Sequence, residues 1–140
     1  IANKFEQSVS LFTGSDTSGL GVLDGANKGI VDYGKDMPKV FYNSKINLNI
    51  TLRTIESGIP LRALDIMGCG GFLLSNYQEE LAEYFVDGKE LVLYNSIDDC
   101  IEKINYYLSH EDERKMIAIA GRQKVEAEFN YRVGLERLFD

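Results

Sequence analysis

Short apolar runs alternate with helix-like segments along most of the chain. Their composition and the glycines that flank them predict strands at residues 8–13, 30–33, 46–52, 72–75 and 91–94. The run 46–52 carries the clearest signal, since apolar and polar residues alternate strictly there, as in a strand with one polar face. Strands that alternate with helices predict βαβ units. We therefore expect an α/β fold, a Rossmann-like parallel sheet flanked by helices.

Helical patterns fill most of the intervals between these strands. Asp36 predicts the start of a short helix, and Pro60 predicts the start of another that ends at Gly70. Ser96 and Asp99 are spaced like a capping box. The remaining predicted helices are residues 79–86, 97–108 and 111–129, followed by a helical tail at 131–139. The helix at 97–108 has the apolar stripe Ile97, Ile101, Ile104 and Leu108. In the helix at 111–129, the residues Ile117, Gly121, Val125 and Phe129 are spaced four apart. Five glycines between residues 14 and 29 argue against a helix in that segment.

The composition narrows the class of protein. With 140 residues, 44% hydrophobic and 26% charged, the chain is typical of one globular domain, and we expect a single domain over residues 1–140. A formal net charge of −7 argues against a nucleic-acid partner, because phosphate contacts supply most of that affinity. We find no apolar run of membrane-spanning length and no signal-peptide pattern, and we expect a cytoplasmic protein. The chain starts with Ile1, so we expect it to be a piece of a longer protein.

Arg62 and Asp65 are the strongest candidates for binding chemistry. A cation in the first turn of a helix opposes the macrodipole unless an anion is bound there. Together with the free backbone N–H groups of the helix start, Arg62 would make a site for phosphate. Asp65 lies one turn further on the same face, where its carboxylate could accept hydrogen bonds from a ribose or sugar diol. The alternative is an ion pair between these two side chains that contributes little.

Other candidates follow predicted strands. Gly14 and Ser15, then Tyr33, then Arg53 lie at or directly after the carboxyl ends of three strand candidates, where parallel α/β sheets bind their ligands. A plain surface turn is the alternative for the Gly14 loop, which has neither GxGxxG nor a Walker lysine. The asparagines 47 and 49 either orient a substrate or satisfy helix ends that pack above them.

The cysteines and the histidine suggest packing roles. We expect Cys69, in the word GCGG, to be a small core residue, and His110 to lie at a helix end where a cation complements the dipole. No spacing of Cys and His resembles a zinc site, and two cysteines, Cys69 and Cys100, are typical of a reduced protein.

The stretch from Asn47 to Val125 resembles the group 1 glycosyltransferases, in the branch that includes the spore maturation protein CgeB. The matching words are NLNITLR, PLRALDIMGCGGFLLSNYQEELAEYF, DGKELVLYNSIDD and AGRQKV. The resemblance implies the C-terminal, nucleotide-sugar-binding half of a two-domain GT-B enzyme. It also implies a hexosyltransferase type of activity, a bacterial-like origin, no metal and no further cofactor.

The resemblance also implies roles for single residues. Asp65 stands where an acidic residue contacts the donor ribose, and Arg62 resembles the arginine near the donor phosphates. Ser57 stands at the sugar-contact position, where many group 1 enzymes have Glu. The loop at Gly14 and Ser15 resembles the one that approaches the diphosphate. Tyr33 belongs to the loop that meets the base.

The function that we predict is donor binding in a glycosyltransferase that moves a sugar from a nucleotide diphosphate sugar to an unknown acceptor. The catalytic residues and most of the acceptor site would lie in an N-terminal domain outside this chain, and the isolated chain would not transfer sugar. One alternative is a non-catalytic nucleotide- or glycan-binding module, which Ser57 in place of Glu keeps open. Another is a flavodoxin-like interaction domain.

Overall fold

The computed structural model of the chain describes residue 28, residues 35–50 and residues 59–129. The chain divides into two compact units, Ile1–Met37 and Pro38–Asp140, and almost all described residues belong to the second. The elements in chain order are α1 Met37–Asn43, β1 Asn47–Asn49, α2 Leu61–Gly68, β2 Leu73–Asn76, α3 Glu79–Tyr84, β3 Val92–Tyr94, α4 Ile97–Ser109 and α5 Glu111–Glu128. The single domain over residues 1–140 stays a prediction.

Three parallel strands form the described sheet, in the order β1-β2-β3. Leu74 pairs with Leu48 on one side and with Val92 on the other. Helix α2 connects β1 to β2 and packs on both of them, and α3 connects β2 to β3. Helix α5 packs along α2, while α4 packs on β3 and on α5. The predicted α/β fold with a parallel sheet flanked by helices is therefore confirmed.

The core lies between the sheet and these helices. The central strand β2 is buried along nearly its whole length, as its continuous apolar run predicts for a strand covered on both faces. The side chains that are almost completely buried come from β2, β3 and the helices that pack on them: Ile66, Met67, Leu73, Leu74, Leu81, Leu91, Val92 and Cys100.

Strand β1 buries its polar face, which the alternating pattern alone does not predict. Asn47 and Asn49 are 8% and 5% exposed, whereas Leu48 and Ile50 on the other face are 37% and 63% exposed. The reason is hydrogen bonding, because the Asn47 Nδ2 donates to the carbonyls of Phe41 at 2.9 Å and of Phe72 at 3.3 Å. Buried carbonyl groups need donors, and this asparagine supplies them from within the sheet.

The predicted apolar stripe of helix α4 is wrong at both ends. Ile97 and Leu108 are exposed, and the buried residues are Cys100 and Ile104. The packing of α4 on β3 and α5 decides which side of the helix is buried. The spacing of apolar residues in the sequence alone predicts the wrong side at the two ends. The Ser96 cap is confirmed, since the Asp99 N–H donates to the Ser96 Oγ at 3.1 Å. The Asp99 carboxylate accepts from the Asn95 N–H at 2.9 Å and not from that of Ser96.

Several predicted elements lie outside the described residues, namely the strands at 8–13 and 30–33, the glycine-rich segment between residues 14 and 29, and the tail at 131–139. No helix in the described ranges has the length and apolar character needed to cross a membrane.

Candidate functional site

Helix α2 begins at the carboxyl edge of the sheet with uncapped backbone donors. Its N-cap residue Pro60 has a φ of −59° and a ψ of 125° and gives no side-chain cap. The Pro60 carbonyl accepts from the N–H groups of Ala63 at 3.0 Å and Leu64 at 3.3 Å. Within the described part of the chain, the N–H groups of Leu61 and Arg62 have no acceptor. A helix start of this kind presents donors and a partial positive charge to an anion.

Arg62 adds a full positive charge to this helix start. Its side chain is exposed, and α2 has no acidic residue in its first turn. By contrast, carboxylates occupy the first turns of the helices α3, α4 and α5, where they complement the macrodipole. The first turn of α2 is therefore suited to a negatively charged partner from outside the helix.

Asp65 lies one turn after Arg62 and is half-buried. The four ion pairs formed among the described residues all lie on α4 and α5, so the Arg62–Asp65 pair that we considered as an alternative is not among them. The Asp65 carboxylate acts electrostatically on the Cys69 thiol, whose pKa it raises. Both candidates are thus on one short helix that starts at the carboxyl edge of the sheet.

The GCGG word ends helix α2 in a Schellman motif. The Gly71 N–H donates to the Ile66 carbonyl and the Gly70 N–H to the Met67 carbonyl, each at 2.9 Å. Gly70 has a φ of +81°, which a residue with a side chain rarely adopts. At Gly71 a Cβ would approach the Asn47 Nδ2 and the Phe41 carbonyl oxygen to 2.8 Å. This word therefore fixes the end and the direction of α2, and with it the placement of Arg62.

The AGRQKV run holds α2 against α5. Gly121 is buried, and a Cβ there would collide with the Glu90 carbonyl oxygen and lie 3.5 Å from the Met67 Cγ. One turn later, the Val125 Cγ1 would contact a Cβ on Gly68 at 3.6 Å. The GCGG and AGRQKV segments thus position the candidate site by packing. The candidate ligand contacts lie elsewhere on α2.

Cys69 is the C-cap residue of α2 and is half-buried, so the prediction of a core residue is only partly right. Burial raises the pKa of its thiol, Asp65 raises it further, and Arg122 acts in the opposite direction. The thiol is therefore held in its protonated form, which is the poorer nucleophile. Cys69 and Cys100 are both free.

His110 lies at a helix end, as predicted, at the junction between α4 and α5. It is the C-cap of α4, its ring stacks on Tyr106 with centroids 3.9 Å apart, and its Nδ1 is 2.6 Å from the Tyr106 carbonyl oxygen.

The two asparagines of β1 have different partners. Asn47 satisfies a carbonyl in helix α1, whereas Asn49 donates to the Ser75 Oγ of the neighbouring strand at 3.1 Å.

Five of the predicted site residues lie outside the described residues: Gly14, Ser15, Tyr33, Arg53 and Ser57. Their roles stay predictions. In the ranges that the structure covers, no group of three or more His, Cys, Asp or Glu side chains could hold a metal ion.

Two polar residues have roles that no sequence motif indicated. Arg114 is buried and donates from its Nη1 to the Tyr107 carbonyl at 2.6 Å, which satisfies the last turn of α4. Gln78, just after β2, has a buried amide nitrogen without a partner in the described structure. Its position after a buried strand is the one sequence signal that could have pointed to it.

The sheet and its helices have the α/β fold of GT-B glycosyltransferases. The chain is similar to the solved structure of sucrose-phosphate synthase from Thermosynechococcus elongatus, with a TM-score of 0.65 and 16% sequence identity. The similarity covers 84% of this chain and 30% of that one, so the chain spans less than a third of that protein's length.

The sequence model of the glycosyl transferase-like family matches residues 16–140, and the chain belongs to this family. No curated protein matches it. The predicted glycosyltransferase class and GT-B type of fold are confirmed, while the CgeB-like branch and the donor-binding residues stay predictions.

Proposed function

We propose that this chain is the donor-binding part of a glycosyltransferase that takes a sugar from a nucleotide diphosphate sugar. The observation that carries the proposal is the start of α2, where the N–H groups of Leu61 and Arg62 have no acceptor among the described residues and the exposed side chain of Arg62 belongs to the same first turn. Membership of the glycosyl transferase-like family supports a diphosphate as the anion for this arrangement.

The chemistry of sugar transfer explains why such a site is useful. When the bond between the sugar and the diphosphate breaks, negative charge accumulates on the departing nucleoside diphosphate. Backbone donors and a guanidinium that are already in place stabilise this charge without reorganisation, which is a large contribution to catalysis. Asp65 has the complementary task of accepting hydrogen bonds from the ribose hydroxyls.

The proposal extends to the rest of the donor site and to the whole protein. Gly14 and Ser15 would approach the diphosphate, Tyr33 the base, and Arg53 and Ser57 would also contact the donor. We further propose that a second domain carries the acceptor site, that the donated sugar is a hexose and that the protein belongs to the CgeB-like branch. We also propose that it uses no metal or other cofactor. A cytoplasmic location, which we propose as well, agrees with the two free cysteines.

Calorimetric titration of the full chain with UDP, GDP and ADP tests the proposal. Arg62→Ala removes a charge-assisted contact, and we expect affinity to fall roughly ten- to a hundredfold for the nucleotide that the parent binds. Lys115→Ala is the matched control, since it changes the net charge equally but lies in an exposed pair with Glu111 on α5. Equal affinities of both variants and the parent would contradict the Arg62 assignment.

Asp65→Asn tests the ribose contact in the same titration. We expect this variant to weaken binding of the ribonucleotide more than binding of its 2′-deoxy counterpart, because only the ribonucleotide offers the complete diol. An equal loss for both nucleotides would contradict the role of Asp65. A second candidate, the non-catalytic binding module, is favoured by Ser57 alone, and sugar transfer by the longer protein would exclude it.

A further inference from the structure

Gln78 lies at the same edge of the sheet as the start of α2, one strand further along. It follows the end of β2 at Asn76 and precedes α3, and parallel strands have their carboxyl ends at one edge. Its backbone is fixed, because the Tyr77 N–H donates to the Tyr94 carbonyl at 2.9 Å and the Gln78 carbonyl accepts from the Ala82 N–H at 3.0 Å.

The side-chain amide of Gln78 is not satisfied in the same way. Its Nε2 is buried and has no hydrogen-bond partner within the described structure. Burying an amide donor without an acceptor costs free energy, and the great majority of buried polar groups in proteins have a partner. A bound molecule that offers an oxygen would remove this cost.

The other polar side chains at the ends of β1 and β2 are already engaged with each other. The Asn49 Nδ2 donates to the Ser75 Oγ at 3.1 Å, and the Ser75 hydroxyl donates to the Asn76 carbonyl at 3.1 Å. Gln78 is the residue of this edge whose buried donor is left over among the described residues. It is therefore the one most suited to an external acceptor.

We propose that Gln78 is a donor-binding residue, whose Nε2 donates a hydrogen bond to an oxygen of the nucleotide diphosphate sugar. This inference rests on the proposed function and adds a contact from the segment after β2 to those from α2. The nucleoside diphosphate part and the sugar part of such a molecule both carry oxygen acceptors, and a neutral amide can donate to either part.

Gln78→Met in the full chain separates a ligand contact from a structural one, since methionine has a similar length but no polar group. We expect the thermal midpoint without ligand to equal or exceed that of the parent, because an unsatisfied buried donor is removed. Affinity for the UDP-, GDP- or ADP-glucose that the parent binds should fall about three- to tenfold. Gln123→Met, on the exposed face of α5, is the matched control and should change neither quantity.

Titration with the nucleoside diphosphate and with its glucose conjugate distinguishes the two parts. A loss of affinity for both ligands indicates an acceptor on the nucleoside diphosphate, and a loss for the conjugate alone indicates a sugar hydroxyl. Gln78→Glu is a second variant of nearly the same shape, and its carboxylate should weaken binding more than methionine does if the acceptor is a diphosphate oxygen, because both groups are negatively charged.

Two results would overturn the proposal while the proposed function stands. One is unchanged affinity of Gln78→Met when Arg62→Ala has lost affinity. The other is a lower thermal midpoint without ligand together with unchanged affinity, which would indicate a partner within the protein. If the parent binds none of these nucleotides, the proposed function fails, and the role of Gln78 fails with it.

Discussion

Replacing Gly121 by alanine should destabilise the protein through a single methyl group. At an open position in a helix, Gly→Ala stabilises by about 1 kcal/mol, because alanine loses less backbone freedom on folding. Gly121 is not an open position, since the added Cβ would collide with the Glu90 carbonyl oxygen and touch the Met67 side chain. The Glu90 obstacle is backbone, just before β3, and cannot rotate away.

The size of the effect follows from these opposing contributions. Overpacking a well-packed interior typically costs about 1–3 kcal/mol, and occasionally more. After the gain in helix propensity, we expect a net loss of about 1–2 kcal/mol in the free energy of unfolding, which for a chain of this size lowers the thermal midpoint by roughly 3–8 °C. The displaced helix is α5, which packs along α2, so the start of α2 should also move.

Urea unfolding followed by far-ultraviolet circular dichroism measures this loss. Gly88→Ala is a control for backbone strain without crowding, because Gly88 has a φ of +83° and no atom lies within 4 Å of an added Cβ. Ala127→Gly on the exposed face of the last turn of α5 calibrates helix propensity, with an expected loss below the value of about 1 kcal/mol for a helix interior. A Gly121→Ala variant as stable as the parent or more stable would refute the close approach of α5 to Glu90.

Two further predictions concern polar groups. Asn47→Leu should cost about 1–3 kcal/mol of unfolding free energy, because it withdraws a donor from the buried Phe41 carbonyl, whereas Ile50→Asn, whose side chain is mostly exposed on the other face, should cost less than about 1 kcal/mol. Equal effects of the two substitutions would contradict the buried polar face of β1. The hydrogen bond from the Asn95 N–H lowers the pKa of Asp99, partial burial opposes this shift, and Lys103 lowers the pKa further. The ionised Asp99 carboxylate therefore stabilises the fold above the unfolded pKa of about 3.9, and this stabilisation is lost as pH falls through the lower folded pKa. Asp99→Asn should therefore be less stable than the parent at neutral pH, with a gap that narrows in urea unfolding as pH falls below the unfolded pKa of about 3.9, and a constant gap would contradict the ionic contribution.

Local signals in the sequence were sufficient to place most described elements. The stop of α2 before Gly70, the turn at Gly88 and the cap of α4 at Ser96 each depend on contacts within a few residues, and the structure confirms all three, with α2 ending at Gly68. The buried face of β1 depends on the distant carbonyls of Phe41 and Phe72, which no short window contains. Periodicity therefore located the strand but not its inner side.

In the candidate site too, the features that depend on local sequence could be predicted and those that depend on distant contacts could not. Arg62 and Asp65 could be predicted because a cation in the first turn of a helix is unfavourable without an anion. For Gln78 the sequence offers only its position after a buried strand, because the missing acceptor of its buried amide is revealed by three-dimensional packing alone. The role of Gly121 is equally hidden, since its neighbour Glu90 is distant in sequence.

The central claim is that the start of α2 binds the diphosphate of a nucleotide. A ¹⁵N–¹H correlation spectrum of the labelled chain, recorded during titration with UDP, GDP or ADP, follows each backbone amide separately. Because the N–H groups of Leu61 and Arg62 have no acceptor in the described structure, the account predicts that these two amides shift most and saturate together. Saturable shifts that leave both amides unchanged and cluster at another place in the chain would contradict it.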